Sequence, residues 1–407
     1  MTPPADSHSS SAPRVPAGFR LAGVYAGIKR NTSKLDVSLV VSDRPATAAG
    51  VYTQNLVFAA PVGWDRRHTP SADIRAVVIN SGNANACTGS RGDEDAARMA
   101  ALAGETCGAK ADQVLVLSTG IIGEFLPVEK IRAGITAAAG LLTADESGLV
   151  AAARGMLTTD TTHKLAGRTF NVSGKAVQIT GLAKGAAMIG PNMATMLGLV
   201  LTDAALTPQA AQQALAAAVT DSFNCISVDG HMSTNDTVLL LANGAASSTP
   251  LAGGDLETFR TNLNEVCQEL ARAIPADGEG CTHLVTIDVR GCASREAARQ
   301  IAKTVAESAL VKTAVAGADP NWGRIVSAAG YAGVPFNPAG VSLRLNGTLL
   351  YQRGAPVAFD AAAVSESIRA NRDTAIELDF TDGTANSRFW STDLTAEYVR
   401  LNADYHT

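Results

Sequence analysis

Residues 184–204 read KGAAMIGPNMATMLGLVLTDA and fall close to the middle of a chain of 407 residues. Gly190-Pro191-Asn192 is a turn signal, because proline fixes φ and lacks an amide donor while glycine and asparagine accept turn conformations. Met196 to Thr202 is apolar and reads as a buried strand. Thr195 therefore stands where an irregular turn enters a core strand. A threonine hydroxyl is a weak nucleophile without a base beside it. Cutting the chain before Thr195 would supply one, an α-amine with a pKa of about 8 on the same residue. By position alone, a threonine opening a strand is ordinarily structural.

The chain is 46% hydrophobic and 17% charged, which suits a globular protein of two or three domains. Its net charge is −5, with no basic block and no arginine/lysine stripe interleaved with aromatics, which argues against nucleic acid as a partner. None of the cysteines at 87, 107, 225, 267, 281 and 292 forms a CxxC pair, and histidine is not interleaved at ligand spacing, so no metal is expected. Thiols of this kind fit a reducing cytoplasm. Met1 to Val15 is rich in serine and proline and reads as a disordered tail without an apolar core. No apolar run reaches membrane-spanning length. GxSxG, Walker A and GxGxxG are absent from the sequence.

Ordered sequence is expected from Pro16. Asp36 to Ser42 and Ala49 to Thr53 read as strands, and Ala76 to Asn80 as a buried one. The run that follows, NSGNANACTG from Asn80, is a structured turn whose amides tie down backbone groups or form the wall of a site. Asp93 to Cys107 and Pro127 to Leu142 have helical spacing. Val114 to Leu117 is a short strand ending in Ser118-Thr119-Gly120, which is either an ordinary turn or a hydroxyl and an amide presented in one direction. Thr169 to Thr180 alternates about Ser173-Gly174, a hairpin signal. Thr207-Pro208 starts a helix with a capping hydroxyl. Val238 to Leu241 is a strand, Leu256 to Ile274 a helix, and Asp277-Gly278-Glu279-Gly280 ends it. From Thr282 strands and helices alternate, which sets a boundary between a main domain (16–282) and a C-terminal one (283–407). Tyr398, Val399, Leu401 and Tyr405 would let the tail dock, although tails ordinarily fray.

KGAAMIGPNMATML resembles the self-cleavage signature of the glutamate N-acetyltransferase / ornithine acetyltransferase family of arginine biosynthesis. NSGNANACTG, STG, MLTTD (family MTTD), DGHMSTNDT and LVKTAVAGADPNWGR resemble further runs of that family, in its order, from about Pro16 to Thr407. Three positions depart from it: Ala187, where the family has glycine (KGxGM), and His231 and Met232, where it reads DGDTSTNDT. A glycine requirement at 187 would cost alanine about 1 kcal/mol. The resemblance implies an α/β fold, a layered αββα-like sandwich with a smaller C-terminal α/β domain and an Ntn-hydrolase-like N-terminal threonine. It implies cleavage between Ala194 and Thr195, Thr195 as the nucleophile, and Thr119 and Gly120 as the oxyanion hole. It places Thr158, Lys184, Glu279, Asn402 and Thr407 against the substrate. The implied activity is ping-pong acetyl transfer from N2-acetyl-L-ornithine to L-glutamate with no cofactor. Acetyl-CoA is a possible second donor in a bifunctional form. Cytoplasmic heterotetramers of two α and two β cleavage products are expected. A self-cleaving amidohydrolase is the competing class, and retention of Lys184, Glu279 and the tail argues against it.

Overall fold

The computed structural model describes residues 12–190 and 196–404. Along the first part of the chain run β1 (Phe19–Val24), β2 (Val37–Tyr52), α1 (Ala60–His68), β3 (Ser71–Asn83), α2 (Gly89–Cys107), β4 (Val114–Ile121), α3 (Val128–Ala139) and α4 (Glu146–Gly155). Then come β5 (Lys164–Val172), β6 (Lys175–Lys184), β7 (Leu197–Thr202), α5 (Pro208–Thr220), β8 (Ile226–Ser227), β9 (Thr237–Ala242) and α6 (Gly253–Ala276). The last part holds β10 (Leu284–Cys292), α7 (Arg295–Glu307), α8 (Ala309–Ala316), α9 (Trp322–Gly330), β11 (Ser342–Leu345), β12 (Thr348–Gln352), β13 (Ala355–Pro356), α10 (Ala361–Arg369), β14 (Asp373–Asp379), β15 (Ala385–Thr392) and α11 (Ala396–Asp404).

The first sheet has the order β4-β3-β2-β9-β7-β6-β5, with β1 on β2. Asp36 to Ser42 and Ala49 to Thr53, expected as two strands, belong to one long strand that bends where Asp43, Arg44 and Pro45 are exposed. Its first half pairs with β1 and its second half with β9, so the sheet folds over on itself. Side-chain alternation sorts the faces. Val77 and Ile79 of β3 meet Leu199 and Leu201 of β7 and Leu239 and Leu241 of β9 in an inner apolar layer, which Leu149 of α4 and Met156 just after it also enter. Ala76 and Val78 turn the other way, onto Met99 of α2 and Ile131 of α3. Val200, Val238 and Leu240 turn onto Leu215 of α5 and Leu263 of α6. Helices, two sheet layers and helices again make the expected αββα arrangement.

The second sheet has the order β13-β12-β11-β14-β10-β15-β8. Phe259, Leu263, Val266, Leu270 and Ile274 make one buried face of α6 at spacings of three and four residues. That helix packs on β5 and β6 and also on β15, and one apolar cluster runs from Ile179 through Leu270 to Phe389. Each such fully buried side chain is worth about 1.5–3 kcal/mol, so the two sheets are held as one body. The site sits where the ends of β4, β6, β7 and β9 meet the C-terminal helix.

Candidate active site

A cavity of about 390 Å³ opens at these strand ends. Thr119, Gly120, Thr158, Lys184, Glu279 and Asn402 all line it, although they come from five separate stretches of chain. Ala194, Thr195 and Thr407 lie outside the described residues. Met196, bonded to Thr195, donates its N–H to Asp236 Oδ1 at 2.9 Å as β7 begins.

The wall carrying Thr119 and Gly120 is built from backbone. β3 and β4 run parallel until Gly82 stands beside Gly120, where the register shifts. Gly120 has φ +136°, and a Cβ there would lie 2.3 Å from the Gly82 carbonyl carbon. Only glycine fits this approach. Asparagine amides hold the arch: Asn80 Nδ2 donates to the Asn83 carbonyl (2.9 Å), and Asn235 Nδ2 donates to the carbonyls of Ala84 (2.7 Å) and Ser118 (2.8 Å). The NSGNANACTG turn thus does both things the sequence left open, since its amides tie down backbone and Ala84 lines the cavity.

The cationic side of the cavity is Lys184, fully buried at the end of β6. Burial pulls its ammonium below the usual lysine range, against the opposing pull of Asp160, Asp236 and Glu279. Asp160 Oδ1 accepts from Lys164 Nζ and from the Gly185 N–H, both at 2.7 Å, while Oδ2 accepts from the Thr158 N–H at 3.1 Å. One carboxylate therefore ties the Thr158 loop to the Lys184–Gly185 turn. Burial raises the Asp160 carboxyl, but Lys164 and Lys184 overcome this and hold it below its ordinary value. Lys164 also bridges to Asp277 Oδ2 at 2.7 Å, just ahead of Glu279.

The anionic side is Asp229 and Glu279. Asp229 accepts the N–H groups of Met188 (2.6 Å), Ile189 (2.9 Å) and His231 (3.2 Å), and the Tyr398 hydroxyl at 3.2 Å. Ala187, where a glycine requirement was expected to cost stability, is not left-handed. The positive φ falls on Met188, at +56°, and the Asp229 contact holds it. Of the tail residues expected to dock, Tyr398 packs on the core, while Val399 and Leu401 do not. No residue of α11 is buried, and Val399 and Leu401 are 59% and 36% exposed. The Tyr398 ring packs half-buried against the core, and polar contacts add to it: the Tyr398 hydroxyl on Asp229, Asn402 Nδ2 on Glu279 Oε2 at 3.2 Å, and Thr395 Oγ1 on the Gly280 carbonyl at 2.6 Å. Tyr405 lies outside the described residues. Gly280 is left-handed (φ +64°), and a Cβ on it would meet the Tyr398 nitrogen at 2.5 Å.

Asp160, Asp229, Asn235 and Asp277 were not singled out from the sequence, and Tyr398 was read only as an apolar anchor of the tail. Asp160 and Asn235 lie inside the MLTTD and DGHMSTNDT runs, which was the available signal. Among the described residues no cluster of His, Cys, Asp and Glu could hold a metal ion. A lysine at one side of the cavity and two carboxylates at another can grip a zwitterion by both charges. A hydroxyl and an amide fixed at a strand end can meet developing negative charge. That is the equipment of an enzyme acting on an acylated amino acid.

The chain belongs to the ArgJ family, whose family model matches residues 20–407. It is 47% identical over 396 residues to the arginine biosynthesis bifunctional protein ArgJ of Rhodopirellula baltica, covering 97% of this chain and 96% of that one. It is 46% identical over 395 residues to the protein of the same name from Symbiobacterium thermophilum, covering 96% and 98%. Among solved structures it is similar to ArgJ of Bacillus halodurans, with 36% identity, a TM-score of 0.49 and coverage of 50% of this chain and 96% of that chain. Ornithine acetyltransferase of Mycobacterium tuberculosis, complexed with ornithine, gives 36% identity, a TM-score of 0.40 and coverage of 44% and 95%.

Proposed function

We propose that this chain is an ornithine acetyltransferase that moves the acetyl group of N2-acetyl-L-ornithine to L-glutamate. The observation that carries the reading is that one cavity gathers Thr119, Gly120, Thr158, Lys184, Glu279 and Asn402 at the start of β7, the strand that follows Thr195. Self-cleavage between Ala194 and Thr195 would free the threonine amine. Thr195 Oγ adds to the acetyl carbonyl and passes its proton to that amine. The oxyanion is met by the Thr119 hydroxyl and the Gly120 N–H. Collapse breaks the C–N bond, and the proton leaves with the ornithine nitrogen. Glutamate then takes the acetyl group by the reverse sequence. Lys184 pairs with the amino-acid carboxylate, Thr158, Asn402 and Thr407 contact the substrate's polar atoms, and Glu279 faces an ammonium. This chemistry uses no cofactor.

A cut before β7 would leave it hydrogen-bonded to β6 on one side and β9 on the other, so the two products share one sheet. We extend this to a complex of two α and two β products. The exposed apolar run Leu56, Val57 and Phe58 offers a face for association, and the mass in solution tests it. We place the enzyme in the cytoplasm, and its six free cysteines fit a reducing compartment. Because the relatives above are named bifunctional, we also propose acetyl-CoA as a second acetyl donor. The test is to incubate purified protein with N-acetylornithine and glutamate and identify products by mass, then to repeat it with acetyl-CoA. Failure to form N-acetylglutamate from N-acetylornithine would overturn the main reading. No product from acetyl-CoA would remove only the second donor.

A further inference from the structure

A second cavity, of about 550 Å³, lies against the active site and shares Gly120 and Thr158 with it. Its lining is strongly cationic. Lys29, Arg30 and Lys34 come from the loop between β1 and β2, and Lys130 from the first turn of α3. Glu124 is the one carboxylate among the described lining residues. Because the cations come from two stretches of chain, no basic block marks them in the sequence. The loop is held from inside. Asp36, wholly buried, accepts the N–H groups of Ala26 (2.5 Å), Ile28 (2.7 Å) and Lys29 (3.0 Å). Lys29 Nζ donates to the carbonyls of Leu35 and Leu157, both at 2.6 Å, and Lys34 Nζ donates to that of Thr158 at 3.2 Å. Lys130 Nζ donates to the Gly27 carbonyl at 2.5 Å. Arg30 is exposed and makes no hydrogen bond or ion pair among the described residues. Carbonyls orient these ammonium groups without neutralising them. In a chain of net charge −5, such uncompensated positive charge around a cavity calls for an anion.

An amino acid does not account for this groove, since its carboxylate is matched by Lys184 in the active site. Several cations along one cavity fit a ligand with several negative charges, and lysine and arginine are the usual partners of phosphate. Phe125 adds an apolar surface to the same lining. It is 53% exposed, and the Arg91 guanidinium lies 4.1 Å from its ring centroid. An open aromatic ring beside cations can stack a nucleobase. Gly120 belongs to the oxyanion wall as well, so a ligand in the groove can reach past it into the acetyl-transfer site. We propose that this groove binds the nucleotide end of acetyl-CoA, with Arg30, Lys34 and Lys130 on the phosphates, Phe125 on the adenine, and the acetyl-bearing arm passing Thr158 and Gly120. This rests on the reading of acetyl-CoA as a second donor. The groove itself makes and breaks no covalent bond. In the transfer it serves, the acetyl–sulfur bond breaks as the acetyl–oxygen bond to the nucleophile forms, and the hydroxyl proton leaves on the CoA sulfur. N-acetylornithine carries no phosphate and has no use for the groove. The two donors therefore share the oxyanion wall and differ in what holds them.

The test measures binding and turnover separately. Wild-type protein is titrated by calorimetry with CoA, with CoA lacking its ribose phosphate, with pantetheine and with inorganic phosphate. Affinity is expected to fall in the order of the first three, and CoA binding to weaken with added salt. Arg30→Glu changes an exposed side chain that bonds to nothing among the described residues. It should weaken CoA binding and raise KM for acetyl-CoA by about 10-fold or more. Its kcat and KM for N-acetylornithine should stay at wild-type values. Lys130→Glu should behave in the same way, so the result does not hang on the folding of one variant. No CoA binding by the wild type overturns the proposal, as does CoA binding that neither variant weakens. Inorganic phosphate bound as tightly as CoA overturns it too, because the groove would then be a simple anion site. An equal loss with both acetyl donors overturns it, since the loop would then only shape the active site. CoA binding that both variants weaken, without N-acetylglutamate from acetyl-CoA, leaves the binding site standing and removes the second-donor reading, a result distinct from the others.

Discussion

Replacing Gly120 by alanine tests the oxyanion wall at the point of closest backbone approach. The new Cβ would lie 2.3 Å from the Gly82 carbonyl carbon, 2.5 Å from the Asn83 nitrogen and 2.7 Å from the Gly82 α-carbon. These atoms belong to a neighbouring strand and not to a side chain that could swing away. The residue is also held at φ +136°, a region alanine occupies at a cost of about 1–3 kcal/mol. Pushing two backbones apart adds about 1–3 kcal/mol. The total loss of stability is expected near 2–6 kcal/mol, shared with a displacement of the Gly120 amide. Loss of one oxyanion donor costs about 10²–10³ in kcat. Such a donor acts on charge present only in the transition state, so KM for N-acetylornithine should hardly move. Thr119→Ala should match the kinetic loss without the loss of stability, since it removes a hydroxyl and leaves the backbone in place. Steady-state kinetics and thermal unfolding of both variants are the assay. Wild-type kcat in a folded Gly120→Ala protein would refute the oxyanion assignment, and a rise in KM alone in Thr119→Ala would make that residue part of the turn only.

Thr195→Ala should remain one full-length chain without acetyl transfer, whereas fresh wild type should give two bands on a denaturing gel, the second beginning Thr-Met-Leu-Gly. An active, uncut protein would refute the cleavage. Lys164→Met should destabilise the protein by about 3–5 kcal/mol, because Asp160 and Asp277 lose the buried cation that pairs them. Its pH dependence should also weaken. In the wild type Asp160 is held below its unfolded value, so its contribution is present above about pH 4 and is lost as pH falls through the lowered folded value. In the variant Lys184 and the Gly185 N–H still oppose burial at the carboxyl, so denaturant unfolding should show a shallower loss of stability on acidification. An unchanged slope would mean that the pair contributes nothing.

Much of the fold was legible where local pattern decides it. The apolar runs read at Met196–Thr202 and Val238–Leu241 are the two central strands Leu197–Thr202 and Thr237–Ala242, and Ser173-Gly174 makes its hairpin with both residues left-handed. Thr207 caps α5 as read, accepting from the Ala210 N–H at 3.2 Å. The helix Glu146–Gly155 was not read, because its buried face is mostly glycine and alanine and offers little periodic contrast. The bent β2 was read as two strands because Asp43, Arg44 and Pro45 carry a loop signature at the fold-over. For the site, runs of sequence placed Thr119, Gly120, Thr158, Lys184, Glu279 and Asn402 without locating them in space. What they could not show is how the stretches meet. The ties are contacts across long separations, Lys164 to Asp277 over 113 residues and Tyr398 to Asp229 over 169. No local spacing encodes such pairs.

The tail gives the last prediction. Since α11 fully buries no side chain, its apolar hold is limited to the half-buried Tyr398 ring on the core. Its ties are the Tyr398 hydroxyl on Asp229, Asn402 on Glu279 and Thr395 on Gly280, each worth about 0.5–1.5 kcal/mol, or more to a charged partner. A segment held by a few kcal/mol opens readily, which suits a strap that must admit one amino acid and release another. Asp229 keeps three backbone N–H donors when Tyr398 becomes phenylalanine, so Tyr398→Phe should loosen the strap without unfolding the site. Deleting residues 402–407 removes the Glu279 contact as well. Both changes should leave self-cleavage intact, because the cut precedes substrate. Both should lower acetyl transfer to glutamate and raise the share of acetate released, the deletion more than Tyr398→Phe, since an acyl-enzyme open to water is hydrolysed. The measurement is the ratio of N-acetylglutamate to acetate per turnover. If truncation leaves both ratio and rate at wild-type values, α11 is only a surface helix, and Asn402 and Thr407 have no part in the site.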